Sequence, residues 1–152
     1  MPHVPRGKAT TMAKRVTGRC LCGAVTFGFD ETPVMTRACW CRDCQYLASG
    51  NASMTAIFST ETFTVSGELA AYESAADSGN RIRRRFCPRC GTPLFSDDLA
   101  LPDYMVVRVG ALDDREIGKP QSVIWTGSAP SWGHVAPDIP QTRGHPAQIR
   151  AG

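Results

Sequence analysis

An all-β fold of short antiparallel strands is what this sequence predicts, on three observations. Short runs rich in β-branched and aromatic residues recur along the chain. Turn-forming Gly, Pro, Asn and Asp interrupt them every few positions, and no stretch carries the 3.6-residue apolar period of a long amphipathic helix. Seven cysteines in short-spaced groups then point to metal staples, zinc first. At 152 residues the chain suits one domain that buries a core without obligatory disulfides.

Taken in order, residues 1–15 read as a flexible basic arm, with Pro2, Pro5 and Gly7 and no periodicity, and Met12 offers an alternative start. The folded domain is expected over residues 16–146, with 147–152 as a tail. Strands begin at Val16. Residues 24–29 place Val25, Phe27 and Phe29 on one face and stop at the turn Asp30-Glu31-Thr32-Pro33. A strand over 34–39 delivers the second cysteine group, and 42–49 make one or two helical turns closed by Gly50-Asn51. Residues 54–58, 63–66 and 70–73 read as strands, and 74–80 as a loop. A strand over 81–86 leads into the third cysteine group, and 104–109 is the most β-prone run. Beyond it Trp125 and Trp132 lie among Gly and Pro.

The totals exclude several classes. A net charge of +3 is too small to argue for a nucleic-acid binder, and no aromatic–basic interleaving supports one. No run approaches membrane-spanning length, and the first residues lack an apolar signal-type segment. An odd number of cysteines in paired spacings suits a reduced, cytoplasmic metal–thiolate protein better than a secreted disulfide scaffold.

Cys87-Pro88-Arg89-Cys90-Gly91 is a knuckle whose two thiolates fill half of a tetrahedral zinc shell. Two groups offer the remainder, Cys20-Leu21-Cys22 and Cys39-Trp40-Cys41-Arg42-Asp43-Cys44. In extended chain, side chains two apart share a face, so Cys20 and Cys22 converge on one ion, as do Cys39 and Cys41. Cys44 returns from the following turn, so the middle group supplies three ligands unaided. The economical partition is therefore four plus three. Cys20, Cys22, Cys87 and Cys90 form a closed structural zinc site. Cys39, Cys41 and Cys44 form a catalytic site with one open position, which holds its metal less firmly; the alternative is three metal-free thiols that line a pocket.

The series Gly18-Arg19-Cys20-Leu21-Cys22-Gly23-Ala24-Val25, Cys39-Trp40-Cys41-Arg42-Asp43-Cys44-Gln45 and Phe86-Cys87-Pro88-Arg89-Cys90-Gly91-Thr92-Pro93-Leu94 resembles the glutathione-dependent formaldehyde-activating enzyme family, also called the centromere-protein V family. The resemblance runs from about Arg19 to Pro146, taking in Ile124-Trp125-Thr126, Pro130-Ser131-Trp132 and Asp138-Ile139-Pro140. It implies a β-tent fold, the same four-plus-three division of the cysteines, and a carbon–sulfur lyase reaction joining glutathione and formaldehyde into S-hydroxymethylglutathione. The chain departs from the family at Trp40, where members often carry His; an indole cannot shuttle a proton, and the expectation is an apolar wall for the substrate. A non-catalytic zinc module that binds other proteins is the alternative reading.

Arg81, Arg83 and Arg85 alternate, so one strand face carries three guanidiniums, either an anion site for glutathione carboxylates or a solvated face guarding an edge. Asp43 is expected to cap the short helix. His134 is a lone histidine, of a kind more often structural or exposed than ligating. Trp125 and Trp132 are candidates for a pocket wall, with plain packing as the default.

Overall fold

The β-prone runs fold into two sheets, seen in a computed structural model that describes residues 15–146. The basic-arm expectation for residues 1–14 and the tail at 147–152 lie outside the described residues. Arg15, the last residue of the expected arm, is described; it pairs with Asp30 and donates to Thr64 Oγ1.

The smaller sheet holds β1 (Val16–Arg19), β2 (Thr26–Phe29) and a later strand, β5 (Thr64–Ser66), in the antiparallel order β1-β2-β5. The larger holds β3 (Met35–Cys39), β4 (Ser53–Ser59), β6 (Ala70–Ala75), β7 (Arg81–Phe86), β8 (Pro93–Asp98), β9 (Tyr104–Arg108) and β10 (Ser122–Ile124). Its spatial order is β10-β3-β4-β9-β8-β7-β6, antiparallel except where β10 runs parallel to β3. The helix α1 (Arg42–Leu47) is the one α-helix among the described residues. It stops where Ser49 and Gly50 both take positive φ, as Gly50-Asn51 foreshadowed.

The alternation of Val25, Phe27 and Phe29 does what it predicts. These side chains pack inward against Ala56, Phe58, Phe95, Met105 and Val107 of the large sheet. Phe29 stacks on Phe58 at 4.0 Å between ring centroids, and Phe27 meets Phe95 edge-on at 4.9 Å. Each such buried ring contributes about 1.5–3 kcal/mol over an exposed one. The core therefore lies between the sheets, which leaves the outer face of the large sheet free to build a site.

Two strands went unread in the sequence. β8 opens on Pro93 and ends on Asp97-Asp98, residues depleted from strands; Pro93 is accepted because it sits at the strand's first position. β10 is three residues long and is recruited by backbone pairing to β3. The expected loop at 74–80 is also shorter, since β6 continues through Ala75 against Arg81.

Candidate metal centres

All seven cysteines are free thiols, and they gather into two groups, Cys20/Cys22/Cys87/Cys90 and Cys39/Cys41/Cys44. Within each group the sulfur atoms lie within 4.8 Å of one another, the four-plus-three division that the spacing predicts.

The four-cysteine cluster is made by two knuckles of similar build. In the first, Cys20 N–H donates to Val25 O at 3.1 Å and Gly23 N–H to Cys20 O at 3.0 Å. In the second, Cys87 N–H donates to Thr92 O at 3.1 Å and Gly91 N–H to Cys87 O at 2.8 Å. Gly23 and Gly91 both adopt left-handed φ, which a side chain would strain. Cys20 and Cys22 thus come from a turn after β1, not from the extended segment expected of them. Leu21 N–H donates to Thr92 Oγ1 and locks the knuckles together.

The Cys20–Cys22 and Cys22–Cys87 sulfur separations are 3.6 and 3.8 Å. A tetrahedron with metal–sulfur bonds of about 2.3 Å has sulfur–sulfur edges of about 3.8 Å, so the donor set fits a closed tetrahedral metal. The Thr92 hydroxyl, followed by backbone N–H groups, holds the Cys90 thiol down at about 5, favouring the ligating thiolate.

The three-cysteine cluster sits where β3 meets α1. Cys39 closes β3, and Cys41 caps the helix, its sulfur accepting from Cys44 N–H at 3.4 Å. The cap expected of Asp43 is therefore supplied by Cys41; Asp43 is drawn away to Arg84 Nη2 at 2.8 Å. The three thiols compete to ionise: Cys39 and Cys41, with help from Arg108, hold the Cys44 thiol far below the ordinary range, while Cys41 and Cys44 push the Cys39 thiol up. A divalent cation relieves that competition and lets all three ionise.

Cys39 and Cys41 open onto a cavity of about 160 Å³. Ile57, Ile82, Val106, Ile124 and Trp125 supply its apolar walls, and beside the cysteines Arg37, Asp77, Asp98, Tyr104 and His145 are its charged or titratable groups. Pairing explains the placement: Cys39 faces Ser53, Arg37 faces Thr55, and Thr55 in turn faces Arg108, so all project from the outer face.

Arg81, Arg83 and Arg85 do not line this cavity. Arg83 and Arg85 register with Asp97 and Phe95 on the opposite, core-side face, and both pair with Asp97, at 3.1 and 2.8 Å. Arg81 reaches Glu73 at 3.8 Å. The arginines are paired within their own sheet and form no anion site at this cavity; nor do they guard an edge, since β7 lies between β8 and β6. Replacing Asp97 by Asn removes the charge that both share, and urea unfolding should register a loss of about 1–3 kcal/mol.

Trp40 does not form the substrate wall expected of it. It is buried with Ala38 and Val123 and packs against Ala129, Val135 and Ile139, away from the cavity. Trp125 takes the wall position, held in the left-handed conformation (φ 58°) that a bulky residue seldom adopts. Trp132 and His134 are both exposed and line no part of the cavity. The imidazole that does line it is His145, which no spacing or periodicity marks. Burial of its inner edge, with the Arg37 charge, holds its pKa below the ordinary value of 6.5.

An all-β frame carrying one closed cysteine cluster and one that opens onto a cavity is the layout of a protein able to hold two metal ions. The model of the glutathione-dependent formaldehyde-activating enzyme family matches residues 15–128, all seven cysteines included, and the chain belongs to that family. The match stops short of His145, although the sequence resemblance runs to Pro146. A crystal structure of a Rhodobacter sphaeroides protein is similar to this chain at 23% identity, over 68% of this chain and 96% of that one, with a TM-score of 0.54; this is a likeness of fold. No curated protein matches the chain. No helix among the described residues is long and apolar enough to cross a membrane.

Proposed function

We propose that this protein is a zinc-dependent carbon–sulfur lyase acting on the adduct of a small thiol with an aldehyde, as in S-(hydroxymethyl)glutathione synthesis. The observation that carries the reading is the opening of Cys39 and Cys41 onto an apolar cavity with Arg37 and His145 on its walls. The closed four-cysteine cluster is the structural zinc site in this reading, and the three-cysteine cluster the catalytic one.

A zinc ion held by Cys39, Cys41 and Cys44 supplies a Lewis acid with one position for a substrate sulfur or oxygen. In the synthetic direction the thiol sulfur bonds to the aldehyde carbon, the carbonyl π electrons pass to oxygen, and the thiol proton ends on that oxygen. His145 is placed to carry the proton, being neutral at neutral pH. Ile124 and Trp125 exclude water from the reacting carbon. A cavity of about 160 Å³ encloses a group the size of a benzene ring. Glutathione therefore inserts only its cysteinyl arm and leaves its carboxylates near the mouth. The arginines of β7 do not line this cavity and do not meet them.

The test is elemental analysis of anaerobically purified protein, followed by calorimetric titration with reduced glutathione and NMR assay of its formaldehyde adduct. Two zinc per chain, heat on thiol addition and accelerated adduct formation are expected. Full zinc occupancy with no heat from any thiol would instead favour a non-catalytic zinc module, the reading that burial of Trp40 at the family's histidine position supports.

The lowered His145 pKa has a direction in pH. The free imidazole persists to lower pH than an ordinary histidine, so turnover should hold through pH 6.5 and decline only below it. His145→Ala should reduce the rate about 10²–10⁴-fold and remove that acidic limb from the pH–rate profile.

A further inference from the structure

Two guanidiniums flank the three-cysteine cluster, and neither pairs with a carboxylate among the described residues. Arg108 approaches from within the sheet and is only 9% exposed. Its Nη1 donates to Cys44 Sγ at 3.7 Å and to Ser53 Oγ at 2.7 Å, and its Nη2 to Ser96 Oγ at 2.5 Å. Arg37 approaches from the cavity side, two residues before Cys39 on the same strand and face. Its side chain makes no hydrogen bond among the described residues. By contrast the neighbouring sheet arginines are paired with carboxylates, Arg83 and Arg85 sharing Asp97 and Arg84 meeting Asp43.

Arg108 is buried and Arg37 half-buried on the cavity wall. Asp77 and Asp98 line the same cavity without pairing to either, and the charges that act on Arg37 are the Cys39, Cys41 and Cys44 sulfurs, which makes the cluster the counter-charge. Three thiolates on a divalent ion retain one net negative charge. The two guanidiniums turn that into one net positive charge, which an anionic fourth ligand cancels and a neutral one leaves in place. Without the arginines the same anion would create a doubly negative centre inside a low-dielectric cavity.

We propose that Arg37 and Arg108 are the paired counter-ions of this centre and that they restrict its fourth position to anions. Substrate then binds as the thiolate, not as the neutral thiol. The inference rests on reading the cluster as an open metal site. Arg108, fixed by two serines, draws charge from Cys44 on the closed side; Arg37, uncommitted, faces the incoming ligand. The four-cysteine cluster makes the contrast: four thiolates on a divalent ion are more negative still, but Cys22 is exposed and Cys90 half-buried, so solvent screens them.

The full chain loaded with cobalt(II) tests this by visible absorption, since a closed four-thiolate site has no vacancy and ligand-dependent changes report the three-cysteine site. The probes are azide and 2-mercaptoethanol for anionic ligation and imidazole for neutral ligation. Arg37→Met should raise the Kd for azide and for the thiolate about tenfold or more, leave imidazole within about twofold, and retain two cobalt per chain. Arg37→Lys should recover most of the anion affinity. Arg108→Met should shift the sulfur-to-cobalt charge-transfer band; should it not fold, the two Arg37 variants still decide. Equal effects of Arg37→Met on azide and imidazole, or no effect on either, would overturn the charge inference alone. No spectral response to any ligand with two cobalt bound would overturn the open-site reading, and this inference with it.

Discussion

Cys87→Ser should yield a chain that does not hold its fold at ordinary temperature. The Cys87 side chain is fully buried in the core between the sheets, and its backbone anchors the second knuckle. With Cys20 and Cys22 it joins the end of β1 to the end of β7, so the cluster closes a long loop of chain. Binding of structural zinc to such sites is worth about 10–16 kcal/mol, against a total stability of about 5–15 kcal/mol for an ordinary domain. Loss of one of four ligands therefore removes a large share of what holds the sheets in register. Cys20→Ser and Cys90→Ser should behave alike, with thermal melts losing their cooperative transition and metal analysis losing the tightly held equivalent. A chain that keeps one stable equivalent after Cys87→Ser would contradict this division of the ligands.

Cys41→Ser should do the opposite, sparing the fold and abolishing activity. Cys41 lies at the head of α1 with its sulfur at the cavity, outside the core between the sheets. Serine can still accept the Cys44 N–H and cap the helix, so little stability is lost. The open site, however, drops to two thiolates and releases its metal. Forfeiting several kcal/mol of charge stabilisation in the transition state corresponds to about 10²–10³-fold in rate. Melts within a few degrees of the parent, one zinc per chain and loss of adduct formation are expected. A melt as damaged as that of Cys20→Ser would make the second cluster structural and remove the main support for catalysis.

The cysteine clusters were legible because metal ligation is local chemistry. Thiolates two or three positions apart converge on a point whatever the rest of the chain does, so the four-plus-three division could be read from spacing alone. The all-β class was equally legible from β-prone runs and frequent turns, as was the inward face of Val25, Phe27 and Phe29. Even the short helix after Cys41 follows from its Gly50 stop.

Which groups surround the clusters was decided by tertiary structure, because it depends on strand order and on which face a side chain takes. Arg81, Arg83 and Arg85 alternate in the sequence as an anion site would. Yet pairing of β7 with β8 turns Arg83 and Arg85 to the core side and places Asp97 between them. Arg37 and Arg108 are 71 residues apart by their numbers and carry no common motif. They meet the cysteines only because β3 and β9 both pair with β4, which aligns Arg37, Thr55 and Arg108 on one face. His145 reaches the cavity through a C-terminal segment tied by Trp125 N–H to Gly144 O, a contact without periodicity to announce it. Local spacing determines where a metal can be held; the register of distant strands decides what charge and what acid–base group face it.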